Sequence, residues 1–343
     1  MRIDELLPAE AGEYDAFLRR RPGALVFQSW PYLELLREVT GGRPRVFVAR
    51  REGGLSGALP VMSLAGRYGE VINSLPYYGS NGGVVADDPQ AEGALVGVFN
   101  DLAAAPGIAS ATLVSSPLET TDYSALARDL TDFRIGQLTP IAYPDAHGDR
   151  LMASFHHKTR NMVRKAEKAG VKVEVEPALD FVARIHAENM AEIGGRAKSP
   201  AFFAAVARHF AEGRDYRVYV ARIDGEPVAG LLVLYFNRVA EYYTPVVRRE
   251  FRETQALSLV IRRAMEEASR AGYAWWNWGG TWATQDGVHR FKKRWGTVER
   301  RYDYYVKIGR PDILRRSAAE LLEAYPHFYV APFAALAAAE SAA

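Results

Sequence analysis

A chain of 343 residues with 48% hydrophobic and 24% charged content has the make-up of a soluble globular protein, and its length suits two domains. A net charge of +2 leaves any contact with phosphate or nucleic acid to local patches. The absence of cysteine excludes disulfides, thiolate metal sites and a cysteine nucleophile.

The opening Met1-Arg2-Ile3-Asp4-Glu5 lacks the apolar core of a signal peptide. No run approaches the roughly 18 apolar residues of a spanning helix, so a cytoplasmic protein without membrane insertion is expected. Glu10 to Arg20 reads as a helix. Ser29 is placed to cap a second one, with Pro31 in its first turn, and Gly41-Gly42 ends it. Arg45–Arg50 and Leu55–Leu64 form a hairpin about Glu52-Gly53-Gly54. Tyr77-Tyr78 then precedes Gly79-Ser80-Asn81-Gly82-Gly83, a loop suited to close backbone approach. A helix, Gln90–Ala104, and a strand, Ala109–Ser115, follow.

The second half repeats this plan. Arg45–Val61 and Arg217–Val233 share eight of 17 positions: Arg45, Val46, Val48, Ala49, Arg50, Gly53, Leu59 and Val61. Ser29-Trp30-Pro31 is echoed by Ser199-Pro200, and Tyr77-Tyr78 by Tyr242-Tyr243. The shared order of helix, hairpin, tyrosine pair, helix and strand indicates duplication of one α/β unit. Domains are expected at 1–145 and 146–310, with a C-terminal helical segment at 311–343.

Two stretches carry chemistry. The helix Ser154–Gly170 presents Lys158, Arg160, Arg164, Lys165 and Lys168, with Lys172 continuing the spacing and Glu167 as its one acid. Met162, Val163, Ala166 and Ala169 are the expected core face. Such a helix is either a solvated face or a polyanion site. Tyr273–Gly296 holds five of the six tryptophans, a Gly279-Gly280-Thr281 turn, and Phe291-Lys292-Lys293-Arg294. Aromatic mass beside close-approach glycines and cations suits an anionic ligand with a bulky body, or equally a buried strand and a solvated helix end.

This order resembles the FemABX family, aminoacyl transferases built from two acetyltransferase-like (GNAT) domains. The resemblance runs from about Phe27 to Lys307. It rests on Phe27-Gln28-Ser29, Lys158-Thr159-Arg160-Asn161, Arg196 ahead of Ser199-Pro200-Ala201-Phe202-Phe203, and most specifically Gly287–Gly296. It implies an α/β fold of two tandem GNAT-like domains around a shared cleft. It also implies transfer of an amino acid from aminoacyl-tRNA to an amine acceptor, such as a peptidoglycan-precursor-like peptide or an amino sugar. No cofactor is then needed.

Lys292 matches the family lysine that steadies the oxyanion, beside Phe291. Arg196 matches an arginine that holds a precursor diphosphate. Where relatives often carry a lysine after the Gln-Ser pair, this chain has Leu36 with Arg37 beside it. The tRNA is expected on the Lys158 helix and on Lys293 and Arg294. Asp286 is a candidate base for the amine. Tyr77, Tyr78, Tyr242 and Tyr243 are candidate cleft walls or core aromatics; Asn277 and Thr281 hold substrate or cap a turn.

Two alternatives stand. An acyl-CoA-dependent GNAT acyltransferase needs a glycine-rich turn at a helix N-terminus. Neither Arg248–Leu257, without glycine, nor Gly79–Gly83, followed by Asp87-Asp88-Pro89, is a good cradle. A non-catalytic precursor-binding protein would keep the aromatic cleft and have no need of Lys292.

Overall fold

The computed structural model of the protein describes residues 1–77, 82–143 and 147–340. The chain forms two compact units, Met1–Arg134 with Arg301–Ala343, and Ile135–Arg300.

The first unit contains β1 (Arg2–Glu5), α1 (Ala11–Arg19), α2 (Trp30–Thr40), β2 (Arg43–Arg51), β3 (Gly54–Gly66), β4 (Gly69–Asn73), β5 (Val85–Ala86), α3 (Pro89–Ala104) and β6 (Ile108–Val114). Strand β7 (Leu130–Pro140) carries the chain into the second unit. That unit holds α4 (His147–Ser154), α5 (His157–Lys168), β8 (Lys172–Val175), α6 (Leu179–Glu192), α7 (Pro200–His209), β9 (Tyr216–Ile223), β10 (Glu226–Phe236), β11 (Val239–Val247), α8 (Ala256–Arg270), β12 (Trp275–Thr281) and α9 (Asp286–Lys293). Strand β13 (Val298–Ile308) returns the chain to the first unit, where α10 (Ala318–Ala324) and α11 (Phe333–Glu340) follow.

The units therefore divide at 134/135 and 300/301, not at the sequence-based 145/146 and 310/311. Residues Tyr304–Ile308 ladder antiparallel with Ser110–Val114 of β6, which fixes the return. The C-terminal segment is part of the first unit. The Tyr325 hydroxyl donates to the Gly69 carbonyl at 2.9 Å and accepts from the Tyr68 N–H at 3.1 Å.

Ser29 caps α2 as expected, and its echo Ser199 caps α7 in the same way. Ser29 and Ser199 accept from the Tyr32 and Phe202 N–H groups, each with proline in the first turn, and Gly41 ends α2 at φ +69°. Helix α5 stops at Lys168 with Gly170 at φ +73°, so Lys172 lies on β8 instead of extending the helix. Val163 and Ala166 are buried and Met162 half-buried, but Ala169 is exposed beyond the last turn.

The hairpins bear out the duplication rung by rung. Arg45 faces Val61 as Arg217 faces Val233, and Ala49 faces Gly57 as Ala221 faces Ala229. Each ladder then skips one residue, Ser56 or Val228, before Arg50 meets Leu55 and Arg222 meets Pro227. A bulge at the same place in both copies is inherited geometry, because a one-residue slip would turn every later side chain to the wrong face. Farther along, Met62 faces Asn73 where Leu234 faces Glu241. Asn73 and Glu241 are thus equivalent. The tyrosine pairs are not: Tyr242 follows Glu241 directly, whereas Ser74 follows Asn73.

Among the described residues no helix is long and apolar enough to cross a membrane.

Candidate functional site

In the second unit β11 and β12 run parallel over three rungs, the last being Glu241 opposite Asn277. Beyond it β11 continues to Val247 and β12 to Thr281 without pairing to each other. Strands that part in mid-sheet leave room at the fork for a ligand.

The Gly279-Gly280 pair lies just past that fork. Gly279 has φ +71°, a left-handed conformation that glycine adopts without strain. The Asn277 side-chain oxygen accepts from the Gly279 N–H at 2.9 Å, which fixes the turn. Its carbonyls, with Thr281, hold Lys292. The Lys292 ammonium donates to Thr281 Oγ1 at 2.9 Å, Gly280 O at 3.1 Å and Gly279 O at 3.5 Å. The Thr281 hydroxyl donates onward to Gln137 Oε1 at 3.2 Å. Lys292 is only 6% exposed, and burial brings its pKa down to about 8. Three acceptors use all three ammonium hydrogens. A substrate oxygen would therefore displace the longest contact, the one to Gly279.

On the opposite face of β12, Trp276 and Trp278 pack with Phe291, Trp295 and Phe155. Ring centroids lie 4.9–6.2 Å apart in edge-on or tilted pairs. The tryptophan cluster is core. It positions α9, with Phe291 on the packed side and Lys292 turned to the glycines.

The end of α9 is tied to the start of α5. The Arg294 carbonyl accepts from His156 N–H at 2.9 Å and Thr159 Oγ1 at 3.1 Å. Gly296, at φ +73°, brings its α-carbon so near Ser154 that a β-carbon would stand 2.9 Å from that carbonyl oxygen. Lys292 and the basic helix thus belong to one braced assembly. A cavity of about 220 Å³ adjoins it, lined mainly by Met162, Val247, Gln255, Leu257, Ile261 and Phe291.

Of the sequence-picked residues, Lys292, Phe291, Asn277 and Thr281 converge here. Asp286 sits at the exposed first turn of α9, with no contact to the lysine group among the described residues. Lys158, Arg164, Lys165 and Lys168 project from α5 exposed, while Arg160 is half-buried and donates to the Phe155 carbonyl. Lys165 also approaches Glu253 at 3.8 Å. Lys293 pairs with Glu299 at 3.5 Å. Arg196 lies exposed in the loop between α6 and α7. Tyr242 packs on Trp278 at 4.8 Å, and Tyr243 stacks on Phe202 at 5.8 Å. Both therefore act at least partly as core. Arg37 belongs to the first unit, paired with Glu34 at 2.8 Å. Tyr77, also there, packs against His327 at 4.7 Å. Tyr78 lies outside the described residues.

Sequence reasoning missed Glu241. It is 3% exposed, its Oε1 accepts from Asn277 at 3.2 Å, and burial drives its pKa up to about 8. One acid in an apolar strand, Val239-Ala240-Glu241-Tyr242, was the available signal.

Helix α8 begins without a glycine cradle. Gln255 precedes it at φ +61°, and the nearby arginines are engaged, Arg248 with Glu250 and Glu226, Arg252 with Glu192. In the first unit Asp88 caps α3 by accepting from the Gln90 and Ala91 N–H groups. Both helix starts are poor phosphate seats.

Residues 153–293 match the family described as acetyltransferase (GNAT) domain. No curated protein matches the chain in sequence. Solved structures match over nearly its whole length. FemX aligns with a TM-score of 0.72 at 17% identity, over 89% of this chain and 97% of that one. The C-terminal domain of a protein named as a lysylphosphatidylglycerol synthetase, from Agrobacterium fabrum, gives 0.57 at 15%, over 92% and 96%. A tandem GNAT protein from the clavulanic acid biosynthesis pathway gives 0.52 at 15%, over 90% and 99%. With the duplicated ladder, these matches make the chain a tandem GNAT-fold protein. Within that class its fold is FemABX-like.

Proposed function

We propose that the protein is an N-acyltransferase that moves an amino acid from aminoacyl-tRNA to an amine acceptor, with the transfer site in the second unit. The observation that carries this reading is Lys292, a buried ammonium held by Gly280 O and Thr281 Oγ1 on a helix whose end is braced to the basic α5. The acceptor nitrogen attacks the carbonyl carbon of the aminoacyl ester. As negative charge grows on the carbonyl oxygen, Lys292 exchanges its long contact to Gly279 O for that oxygen. A donor fixed in a dry site is worth more to the transition state than to the ground state. The carbon–oxygen bond to the tRNA ribose then breaks, and its hydroxyl leaves.

The apolar cavity suits the terminal nucleoside, and the bases of α5 suit the following phosphates. A peptide or amino-sugar amine, as in a peptidoglycan-precursor-like acceptor, fits the second substrate, with Arg196 for its phosphate. No cofactor enters the scheme.

A second reading, acyl-CoA as donor, draws support from the GNAT domain match. The cap and ion pairs at the start of α8 speak against a pyrophosphate there. The test is direct: purified protein with alanyl-tRNA or acetyl-CoA, scored by thermal shift and product mass. Stabilisation by the charged tRNA is expected; stabilisation by coenzyme A alone would overturn the tRNA reading.

A further inference from the structure

The two copies of the fold can be compared at their forks. In the first unit β4 and β6 run parallel to the rung Asn73–Thr112, the counterpart of Glu241–Asn277. That first rung is occupied by the chain's own C-terminal segment. The Tyr329 N–H donates to Asn73 Oδ1 at 2.7 Å. The Tyr329 carbonyl accepts from Asn73 Nδ2 at 2.8 Å and Thr112 Oγ1 at 3.3 Å. This rung is therefore a place where the fold seats an N–H on a strand side chain.

In the second unit the equivalent acceptor is a carboxyl. Glu241 makes one hydrogen bond among the described residues, Oε1 to Asn277, which leaves Oε2 for a ligand. Helix α6, packed on β11, carries Asp180, Arg184, His186, Glu188 and Glu192; His186 is the buried one and accepts from the Lys198 N–H, Lys198 lies over the Tyr243 ring at 5.1 Å, and Lys292 lies beyond the Gly279 turn. None of them bonds to Glu241. The Asn277 amide that holds Glu241 also holds Gly279, so carboxyl and ammonium are fixed to the same turn.

We propose that Glu241 is the catalytic residue that receives the acceptor amine at the fork and takes its proton. The proposal rests on the acyl-transfer reading of the site. As the N–C bond forms and the bond from the acyl carbon to the donor oxygen breaks, one amine proton passes to Glu241 Oε2. Glu241 then returns that proton to the leaving oxygen, so no co-reactant is needed.

The test compares Glu241→Gln with the wild type, using alanyl-tRNA as donor and glycinamide or hydroxylamine as acceptor. Glutamine keeps the size and the bond to Asn277 but accepts no proton. With glycinamide, kcat/KM should fall by about 10²–10⁴. Hydroxylamine, unprotonated at neutral pH, should recover most of the loss. An equal loss with both acceptors means a structural role and overturns the proposal.

A second measurement needs no turnover. The ¹³C carboxyl signal of Glu241, identified by its absence in Glu241→Gln, should titrate at least one pH unit lower with saturating glycinamide, because an ammonium favours the carboxylate. An unmoved midpoint overturns the proposal. Lys292→Met separates the two layers: if it is inactive while Glu241→Gln keeps full rate, only the Glu241 assignment falls.

Discussion

Lys292→Met tests the centre of the site by two independent readouts. Burial lowers the lysine pKa from 10.5 to about 8, so the folded state gives up its proton more easily than the unfolded chain does. Between those values the unfolded state binds more protons, and stability rises with pH across that window. The drop of about 2.5 pH units, at 1.36 kcal/mol each, sets the rise near 3 kcal/mol as an order of magnitude. Below pH 8 the wild type carries this desolvation cost in full; methionine, of similar length, removes it.

Methionine also leaves Gly279 O, Gly280 O and Thr281 Oγ1 without their donor, which costs about 1–3 kcal/mol per buried group. Over three groups that is about 3–9 kcal/mol against the roughly 3 kcal/mol of desolvation relieved, so Lys292→Met should lose between about zero and 6 kcal/mol at pH 7. The assay is urea unfolding of both proteins from pH 7 to 11. Their stability difference should be flat to pH 8, then grow by about 3 kcal/mol in favour of the wild type by pH 10.5. Parallel curves would refute the buried-ammonium reasoning. Turnover of Lys292→Met should fall by about 10²–10³ or more, as for loss of an oxyanion donor. Full activity with a normal fold would refute the mechanism.

Other substitutions probe the supports. Gly296→Ala must put a methyl 2.9 Å from the Ser154 carbonyl oxygen at φ +73°, and should cost about 1–3 kcal/mol in urea unfolding. Asn73→Ala removes both bonds to Tyr329 and should cost about 1–3 kcal/mol, with faster proteolytic release of the C-terminal segment. Exchanging Lys158, Arg164 and Lys168 for glutamate should weaken alanyl-tRNA binding and flatten its salt dependence by about one unit of slope per lost phosphate contact, without altering the unfolding midpoint. Unchanged binding would free α5 from any role with the donor.

Much of this was legible because it follows short-range rules. Caps at Ser29 and Ser199, the stop at Gly41 and the alternation of the hairpins are local, and the repeated Arg-Val-x-Val-Ala-Arg signalled the duplication. The Phe291-Lys292 motif led to a lysine that the structure buries against the Gly279-Gly280 turn. What stayed hidden depends on the sheet. The spacing that suggested Lys172 as part of the helix face does not reveal that Gly170 breaks the helix first. The tryptophans looked like a ligand wall because sequence does not say which face of β12 is covered; α5, α8 and α9 cover it. The tyrosine echo failed because the hairpins differ in length, 11 residues from Met62 to Asn73 against seven from Leu234 to Glu241, and Tyr77 then lies four residues past its rung where Tyr242 lies one past. Glu241 shows no motif, since its meaning comes from the strand beside it.

The two forks show how one scaffold holds two fates. Inherited register places Asn73 and Glu241 at the same rung, down to the shared bulge on the neighbouring strand. An amide there is uncharged and pairs with a backbone in both directions, which suits permanent closure by Tyr329. A carboxyl cannot pair in that way when ionised, and buried it is held against its ordinary charge state, a condition that persists only where something else requires it. Asparagine at position 241 would relieve that burden at no cost to the ladder. That the chain keeps glutamate at the fork nearest Lys292, and amide plus hydroxyl at the plugged one, argues that one copy retains chemistry while the other has become structural support.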